Sequence, residues 1–214
     1  MHVFINSAMS ADGKISNVRR EQVRISGAGD FERVDSLRAE SDAIGVGVGT
    51  VLADDPSLTV KDEGENPLRV VFDSGARTPE DSEVFEGESD TVVFVGRRAD
   101  DEDVDRLRRR ADVVRTYGDS DRVDLGEAVE TLEERGVESL MVEGGGGINY
   151  SFLSEKLVDE ILVYVGASVI GGTDAPTVVD GDGFVDKYPR LELGSVERID
   201  EGVLLRWTVD KESY

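Results

Sequence analysis

Short apolar runs alternate with amphipathic stretches along most of the 214-residue chain, and this alternation limits the possible folds more than any other feature. Apolar runs bounded by glycine or charged residues are typical of buried strands, whereas apolar residues at every third or fourth position are typical of helices. The predicted strands are Val3–Ile5, Ala43–Val48, Arg69–Phe72, Val92–Val95, Val113–Arg115, Leu140–Glu143 and Ile161–Val165. Strands that alternate with helices predict an α/β fold with a mainly parallel central sheet and helices on both faces.

The amphipathic stretches between these strands are predicted to be helices. In the first of them Phe31, Val34 and Leu37 recur every three residues, and Asp30 is in position to cap the helix. The later predicted helices are Asp103–Arg110, Leu125–Arg135 and Ile148–Leu157. Each one lies between two predicted strands, as the connecting helices of a parallel sheet do.

The end of the chain has a different pattern. The apolar runs Leu191–Ile199 and Val203–Val209 flank the tripeptide Asp-Glu-Gly, which predicts an antiparallel hairpin added to the sheet. No internal repeat and no low-complexity linker divides the sequence, so residues 1–214 are expected to form one domain.

The scarcity of cysteine and histidine excludes several kinds of chemistry. The chain has no cysteine and one histidine, which excludes disulfides, thiolate nucleophiles, zinc clusters and iron–sulfur ligation, so no metal site is expected. The histidine, His2, is interpreted as a residue at the end of a strand. Any reaction therefore depends on carboxylates, hydroxyls, Lys or Arg side chains, or a bound cofactor.

The charge balance is strongly acidic, with 47 Asp and Glu residues against 24 Lys and Arg residues, a formal net charge of −23. Such a chain is not expected to bind nucleic acid or an anionic membrane, because both require a basic face. Only 5 of the basic residues are Lys and 19 are Arg. An acidic, lysine-poor surface suits molar salt, where the Debye length falls to about 3 Å and self-repulsion is screened, so a salt-adapted protein is predicted.

The N-terminal residues indicate where the protein works. They lack the basic start and apolar run of a secretory signal, and no stretch approaches the roughly 18 apolar residues of a membrane helix. A cytoplasmic location is therefore expected.

The strongest local motif is a glycine-rich turn. Residues Val142–Asn149 read V-E-G-G-G-G-I-N, so that a predicted strand ends, four glycines follow and a predicted helix begins. Glycines let the backbone approach a ligand closely, and the free N–H groups of a helix start bind phosphate. The spacing is neither that of a P-loop nor that of a first-strand G-x-G-x-x-G. A dinucleotide pyrophosphate site and a turn that serves packing both remain open.

A second turn follows the next predicted strand and carries two polar side chains. Residues Gly45–Pro56 read G-V-G-V-G-T-V-L-A-D-D-P. Thr50 and Asp54 are four residues apart, which places a hydroxyl and a carboxylate on one face of a short helical turn. The alternative is a simple cap before the proline.

Two further turns also follow predicted strands. Ser10–Lys14 reads S-A-D-G-K, which is an ordinary turn composition, and Asp73–Arg77 reads D-S-G-A-R. Ser74 and Arg77 could hold a cofactor 2′-phosphate because guanidinium groups match phosphate oxygens, and Arg97–Arg98 are rivals for that role. Solvated loop arginines are the alternative. All four turns lie at the carboxyl ends of predicted strands, where open α/β sheets bind ligands.

In order along the chain, these segments resemble the reductases of riboflavin biosynthesis, whose fold is like that of dihydrofolate reductase. The matching runs are S-A-D-G-K, L-R-A-E-S-D-A-I, G-V-G-T-V-L-A-D-D-P-S-L-T-V, N-P-L-R-V-V-F-D-S, M-V-E-G-G-G, L-V-D-E-I and I-G-G-T-D-A-P. They extend over nearly the whole chain.

The resemblance implies a dihydrofolate-reductase-like fold, NADPH as hydride donor (NADH is possible) and a homodimer. It implies a phosphorylated pyrimidine as substrate, whose ribosylamino group becomes a ribitylamino group. Bacterial relatives carry the reductase fused to a zinc deaminase that needs cysteine ligands, which this chain lacks. The sequence therefore resembles the stand-alone archaeal form, and 2,5-diamino-6-(ribosylamino)-4(3H)-pyrimidinone 5′-phosphate is the expected substrate.

The resemblance also implies roles for individual residues. It implies cofactor contacts at Ala8, Thr50, Asp54, Ser74, Gly144, Gly145, Gly146, Gly147, Ile148 and Asn149. It implies substrate contacts at Arg38, Leu58, Lys61 and Glu143. Arg38 and Lys61 are expected to hold the 5′-phosphate. Many related sequences have Arg at the position of Lys61, and Lys holds a phosphate as a point charge and not bidentately.

Glu143 is the expected catalytic residue, close to the reacting carbon, with Asp12 as a second candidate. A salt-bridged carboxylate at a strand end is the alternative interpretation of Glu143. Other functions also stay open: reduction of the deaminated pyrimidine or a pterin, and a non-catalytic nucleotide-binding subunit. A pterin enzyme would not need Arg38 and Lys61 together. A structural scaffold would leave the glycine turns without a purpose.

Overall fold

The structure is a computed structural model that describes residues 1–61 and 66–214. The strands in these residues are β1 (His2–Ser10), β2 (Ala43–Gly47), β3 (Leu68–Phe72), β4 (Thr91–Val95), β5 (Asp112–Arg115), β6 (Ser139–Gly144), β7 (Glu160–Gly166), β8 (Arg190–Ile199) and β9 (Gly202–Asp210). The helices are α1 (Ala28–Glu40), α2 (Val48–Asp54), α3 (Asp101–Leu107), α4 (Leu125–Glu134) and α5 (Gly146–Ser154), with a short 3₁₀ turn at Glu83–Phe85. Helices therefore connect most of the strands, as the sequence predicts.

All the described strands join one sheet in the order β5-β4-β3-β2-β6-β1-β7-β9-β8. The strands from β5 to β7 in this order are mutually parallel. β9 runs antiparallel to β7, and β8 runs antiparallel to β9. The predicted mainly parallel sheet with a closing antiparallel hairpin is confirmed.

Helices cover both faces of the sheet and enclose two apolar clusters. On one face Leu125 and Leu132 of α4 and Phe152 of α5 pack against strand residues such as Ile5. On the other face Val51 of α2, Leu107 of α3 and partly buried Leu37 of α1 pack against residues that include Phe4. Successive strand residues point to opposite faces, so the central strands are apolar on both sides, as buried parallel strands must be.

The prediction that Asp30 caps the first helix is wrong. The helix begins at Ala28 with Gly27 at its N-cap, and Asp30 is a buried residue inside the first turn. Its carboxylate accepts hydrogen bonds from the hydroxyl of Ser26 and the guanidinium of Arg33. Aspartate is favoured both at an N-cap and in the first turn, so the sequence alone cannot separate the two positions.

The other three helices also differ from their predicted bounds: α3 ends at Leu107 and not at Arg110, α4 ends at Glu134 and not at Arg135, and α5 begins at Gly146 and not at Ile148. α3 begins at Asp101 and not at Asp103, because the side chain of Asp100 accepts a hydrogen bond from the helix backbone. α5 ends at Ser154, before the predicted end at Leu157, since Lys156 has a left-handed backbone conformation with φ 59°.

Candidate functional site

The four polar turns identified in the sequence lie along one margin of the sheet. They follow β1, β2, β3 and β6, and because these strands are mutually parallel their carboxyl ends face the same way. The segments most distant in sequence, after β1 and after β6, extend from adjacent strands. The margin therefore holds the candidate site, as expected for an open α/β sheet.

The glycine-rich turn between β6 and α5 depends on backbone conformations that favour glycine. Gly144 has φ 137° and Gly145 has φ 90°. A Cβ atom on Gly145 would lie 3.0 Å from Oγ1 of Thr50, so the two strongest sequence motifs meet at this point. A Cβ atom on Gly146 would lie 2.5 Å from the carbonyl oxygen of Thr177, and the loop that holds Thr177 therefore packs directly on the start of α5.

The remaining residues of this turn lie in the first turns of α5. Ile148 packs close to Gly47 at the end of β2, and Gly147 approaches the loop carbonyl of Asp180. Asn149 is fully buried, and its Nδ2 donates to the carbonyl oxygen of Val178 at 2.8 Å. Within residues 1–61 and 66–214 its Oδ1 is enclosed by protein and has no hydrogen-bond partner.

A cleft of about 200 Å³ lies beside this turn, between the end of β1 and helix α1. Its lining consists of Asn6, Ser7, Ala8, Ser26, Asp30, Phe31, Arg33, Val34, Asp35, Arg38 and Lys61. Two residues assigned to the substrate, Arg38 and Lys61, and one assigned to the cofactor, Ala8, thus share one cavity.

Glu143 and Arg38 form a bidentate ion pair at the edge of the cleft. Nε and Nη2 of Arg38 donate to the two carboxylate oxygens of Glu143, each at 2.6 Å, and Nη1 donates to the carbonyl oxygen of Thr59 at 3.1 Å. The side chains are 19% and 10% exposed. Burial alone would lower the pKa of the Arg38 guanidinium, but the hydrogen bonds and charge of Glu143 outweigh burial and raise it.

The loop that follows α2 presents Lys61 at the rim of the cleft. The backbone N–H of Lys61 donates to the carboxylate of Asp35 at 3.0 Å, and Nζ of Lys61 lies 5.8 Å from the ring centroid of Phe31. Leu58, by contrast, is 1% exposed, has φ 51° and packs into the core. Leu58 therefore offers almost no surface to a substrate in this conformation.

Asp12 joins two loops beyond the end of β1. Its carboxylate accepts hydrogen bonds from the hydroxyl of Ser10 and from the backbone N–H groups of Ile170 and Gly171, at 2.6 to 3.0 Å. The hydrogen bond from Ser10 and those from the two backbone amides lower the pKa of Asp12 to about 2. Asp12 is therefore ionised at neutral pH and anchors a loop, which does not suit a proton donor.

The other assigned cofactor residues lie further along the same margin. Asp54 ends α2, and partial burial raises the pKa of its carboxyl group. Ser74 accepts a hydrogen bond from the backbone N–H of Val123 at 3.0 Å, which leaves its hydroxyl proton free to donate elsewhere. Arg97 and Arg98 both pair with Asp121.

Arg77 has a weaker carboxylate contact than Arg97 and Arg98. Its side chain is 62% exposed, and its Nε lies 3.9 Å from the buried Oδ1 of Asp73. In the described parts of the chain that oxygen has no hydrogen-bond partner. Of the three arginines near the ends of β3 and β4, Arg77 is therefore the one most available to an anionic ligand.

Sequence reasoning missed the polar floor of the cleft, which consists of Asn6, Asp30 and Arg33. The guanidinium of Arg33 donates from Nε to Oδ1 of Asp30 at 2.9 Å and from Nη1 to Oδ1 of Asn6 at 3.0 Å. The i,i+3 spacing of Asp30 and Arg33 on a helix was a detectable signal of their pairing. Nothing in the sequence links either residue to Asn6 on the first strand.

Two kinds of site are absent from the described residues. No cluster of three or more His, Asp or Glu side chains there is arranged to hold a metal ion. None of the helices in residues 1–61 and 66–214 has the length and apolar character that a membrane span requires.

Comparison with known proteins identifies relatives that extend over the whole chain. Residues 1–205 match the family described as RibD C-terminal domain. The chain is 49% identical over 212 residues to a 2,5-diamino-6-ribosylamino-4(3H)-pyrimidinone 5′-phosphate reductase of Archaeoglobus fulgidus, covering 94% of each protein. It is 45% identical over 214 residues to the reductase of the same name from Methanothermobacter thermautotrophicus, covering 97% of this chain and 98% of that protein.

Solved structures with the same fold include longer proteins. Acinetobacter baumannii RibD superposes with a TM-score of 0.82 at 24% identity, and the match covers 98% of this chain and 58% of that one. The riboflavin biosynthesis reductase of Saccharomyces superposes with a TM-score of 0.77 at 23% identity, and the match covers 98% and 90% of the two chains. At these identities the superpositions establish the fold, which is the predicted dihydrofolate-reductase-like one.

Proposed function

The chain belongs to the family of RibD C-terminal domains, and we propose that it reduces 2,5-diamino-6-ribosylamino-4(3H)-pyrimidinone 5′-phosphate with NADPH in riboflavin biosynthesis. The two archaeal relatives carry this substrate in their names and match nearly full length at 49% and 45% identity. We propose that residues 1–214 form one reductase domain. Both NADPH and the phosphorylated substrate are charged metabolites of the cytoplasm, which is where we place the reaction.

The observation that carries this proposal is the position of Glu143. It is the last side chain before the glycine-rich turn, and its carboxylate is bound by Arg38 of the neighbouring cleft at 2.6 Å. The candidate dinucleotide turn and the candidate substrate cleft therefore meet at one carboxylate. A hydride donor on one side and a substrate on the other would be brought into contact there.

The residues of the glycine turn fit a nicotinamide dinucleotide. Positive-φ glycines let the backbone turn directly from β6 into the start of α5, and helix N-termini bind phosphate. The side chains of Thr50 and Asp180 border this turn. Ser74 and Arg77 would hold the 2′-phosphate that distinguishes NADPH from NADH. When bound, the cofactor supplies a hydride.

The chain's own side chains would bind and orient the substrate. Lys61 at the rim supplies the net positive charge for the 5′-phosphate, and Arg38 at the wall donates its remaining N–H groups to it. Glu143 lies beside the position proposed for the ribose carbon that is reduced. Ala8 lines the same cleft and would contact the cofactor. Asp12 keeps its loop in place and does not move a proton.

The direct test follows NADPH absorbance in molar KCl after addition of the diaminopyrimidine ribosyl phosphate. We expect NADPH to be oxidised stoichiometrically, with NADH used less efficiently, and the deaminated pyrimidine and a pterin turned over more slowly. Tight NADPH binding without oxidation would favour a non-catalytic binding subunit. Faster turnover of the deaminated compound or the pterin would reassign the substrate.

We also propose that the protein is adapted to molar salt, in the cytoplasm of a salt-loving archaeon. With a net charge of −23, self-repulsion is screened at high salt and destabilises the fold in dilute buffer. A loss of about 3 kcal/mol in the free energy of unfolding lowers the Tm of a domain this size by about 10 °C. We expect a Tm difference of that order between 3 M and 0.1 M KCl. Equal Tm values, or an equal gain in sucrose, would contradict salt adaptation.

A homodimer is proposed from the outer face of the terminal hairpin. Leu191, Leu193 and Val196 of the edge strand are 43%, 55% and 59% exposed. They pair across the hairpin with Val209, Trp207 and Leu205 and so form an apolar strip on one face of the sheet. Exposed apolar strips of this kind mark interaction sites, and this one stands out on so acidic a chain. We propose that the strip binds the same strip of a second copy of the chain, as a two-fold interface requires.

The prediction for this strip is that Leu193→Glu converts the dimer to monomers. A glutamate in the strip would meet its own copy across the two-fold axis, which adds charge repulsion and removes apolar contact. Sedimentation velocity in 3 M KCl measures the change. Glu192→Gln, on the opposite face of the same strand, is the matched control and should leave the dimer intact. A monomeric wild type, or a dimeric Leu193→Glu variant, would remove this strip as the interface.

A further inference from the structure

The floor of the substrate cleft is a buried hydrogen-bonded network that has no role in the function described so far. Oδ1 of Asp30 accepts from Nε of Arg33 at 2.9 Å and lies 2.7 Å from Nη2 in an ion pair, and Oδ2 accepts from the hydroxyl of Ser26. Nη1 of Arg33 donates to Oδ1 of Asn6 at 3.0 Å. The side chains of Asp30 and Arg33 are 1% and 15% exposed. These contacts fix the plane of the guanidinium.

Several donors in this network remain unused. Nη1 and Nη2 of Arg33 each carry two N–H groups, and one on each has no acceptor in the parts of the chain that the structure describes. The orientation of Asn6 is fixed because arginine can only donate, so Oδ1 faces Arg33 and the Nδ2 amide remains as a second donor. Both residues line the cleft. The floor of the cleft therefore offers unused N–H donors from Arg33 and Asn6, and a ligand bound there would have to supply a hydrogen-bond acceptor.

The charge of the floor indicates which part of the ligand belongs there. Asp30 neutralises Arg33 and Glu143 neutralises Arg38 at hydrogen-bond distance, so neither pair offers much net charge to a phosphate dianion. Lys61, at the rim, is exposed and has no carboxylate on its Nζ among the described residues. A neutral acceptor thus suits the floor, and the phosphate suits the rim.

We propose that Arg33 and Asn6 bind the ring carbonyl of the pyrimidinone, with Asp30 as the positioning residue that holds Arg33. A carbonyl oxygen has two lone pairs and can accept from both side chains at once. This inference rests on the proposed function for the identity of the heterocycle. It adds base recognition at the floor of the cleft to phosphate recognition at its rim.

The test measures the binding of two fragments of the substrate by calorimetry, so that no turnover is needed. The probes are the free base 2,5,6-triaminopyrimidin-4(3H)-one and ribose 5-phosphate, each added to the NADP⁺-loaded protein in 3 M KCl. Arg33→Lys keeps a cation beside Asp30 but cannot also reach Asn6 and the ligand. The double variant Asp30→Asn/Arg33→Met leaves no uncompensated buried charge. Arg108→Lys is the matched control, because Arg108 pairs with Asp105 at the same i,i+3 spacing on an exposed helix surface.

We expect both floor variants to weaken binding of the free base by at least about tenfold while ribose 5-phosphate binding stays within about twofold. Arg108→Lys should change neither. Unchanged binding of the base, or an equal loss for both probes, would overturn the inference. A wild type that binds both probes through these residues but oxidises no NADPH would sink the proposed reaction and still support base recognition by Arg33.

Discussion

Arg38→Met is expected to lower kcat/KM for the pyrimidine phosphate by at least about a thousandfold while NADPH affinity stays within about threefold. Two effects act together. The substitution removes guanidinium N–H donors from the proposed phosphate site, and it leaves the carboxylate of Glu143, 10% exposed, without its bidentate partner. Truncating one partner of a buried hydrogen-bonded charge pair costs roughly 2–5 kcal/mol in binding, and a comparable amount in stability.

A double variant separates the structural part of this effect from the functional part. Arg38→Met/Glu143→Gln has no uncompensated charge, so we expect its free energy of unfolding, measured in urea, to return to within about 1 kcal/mol of wild type. Its kcat/KM should stay at the level of the single variant or below. If the double variant recovers both stability and activity, the pair is a structural salt bridge and Arg38 does not touch the substrate.

Arg38→Lys sharpens the same experiment. Lysine keeps the positive charge but cannot bind Glu143 through two parallel N–H groups, so the carboxylate would be held less rigidly. We expect an intermediate loss, mostly in KM if phosphate binding is the main contribution of Arg38 and mostly in kcat if the orientation of Glu143 is. If Arg38→Lys and the wild type have equal kcat and KM, neither the bidentate binding of Glu143 by Arg38 nor the rigidity of Glu143 contributes to catalysis.

The sequence predicts which turns share one sheet margin, because that depends only on the direction of the strands. Each polar turn follows an apolar run, and parallel strands bring such turns to one margin without any further information. This is why Thr50 and the glycine-rich turn, almost a hundred residues apart, could be placed together before the fold was known. The contact of Thr50 with Gly145 confirms that they meet.

The sequence did not predict which side chains pair with each other. Arg38 and Glu143 were each expected at the substrate, but the 105-residue separation gives no sign that they bind each other. Their ion pair depends on the insertion of β6 between β1 and β2, which is a property of the whole sheet. Long-range partners of this kind follow from topology and not from local pattern.

Asp30 shows how one residue type can satisfy two local rules. An aspartate near a helix start fits the N-cap and the first turn equally well. The local sequence does not show which of these two positions Asp30 takes. Once Asp30 is inside the helix, Arg33 follows it at i+3 and reaches across to Asn6. The loop contacts of Asp12 were hidden from the sequence for a similar reason, because two of its three hydrogen bonds come from a loop some 160 residues later.

Gly145→Ala is expected to weaken NADPH binding by about tenfold to a hundredfold. Gly145 has φ 90° and ψ 118°, a combination that side-chain-bearing residues rarely adopt, so alanine costs about 1–3 kcal/mol or shifts the turn. The added Cβ would also lie 3.0 Å from Oγ1 of Thr50. Either response displaces the first amides of α5, which in our proposal bind the pyrophosphate.

Gly136→Ala is the control that distinguishes backbone strain from loss of the proposed cofactor site. Gly136 also has a positive φ, 85°, in open space just after α4, so alanine there meets positive-φ strain away from the glycine turn. We expect both variants to lose roughly 1 kcal/mol or more of stability by thermal unfolding, and only Gly145→Ala to lose NADPH affinity by fluorescence titration. If both variants bind NADPH like the wild type, the start of α5 does not hold the dinucleotide, and the cofactor must bind elsewhere along the margin.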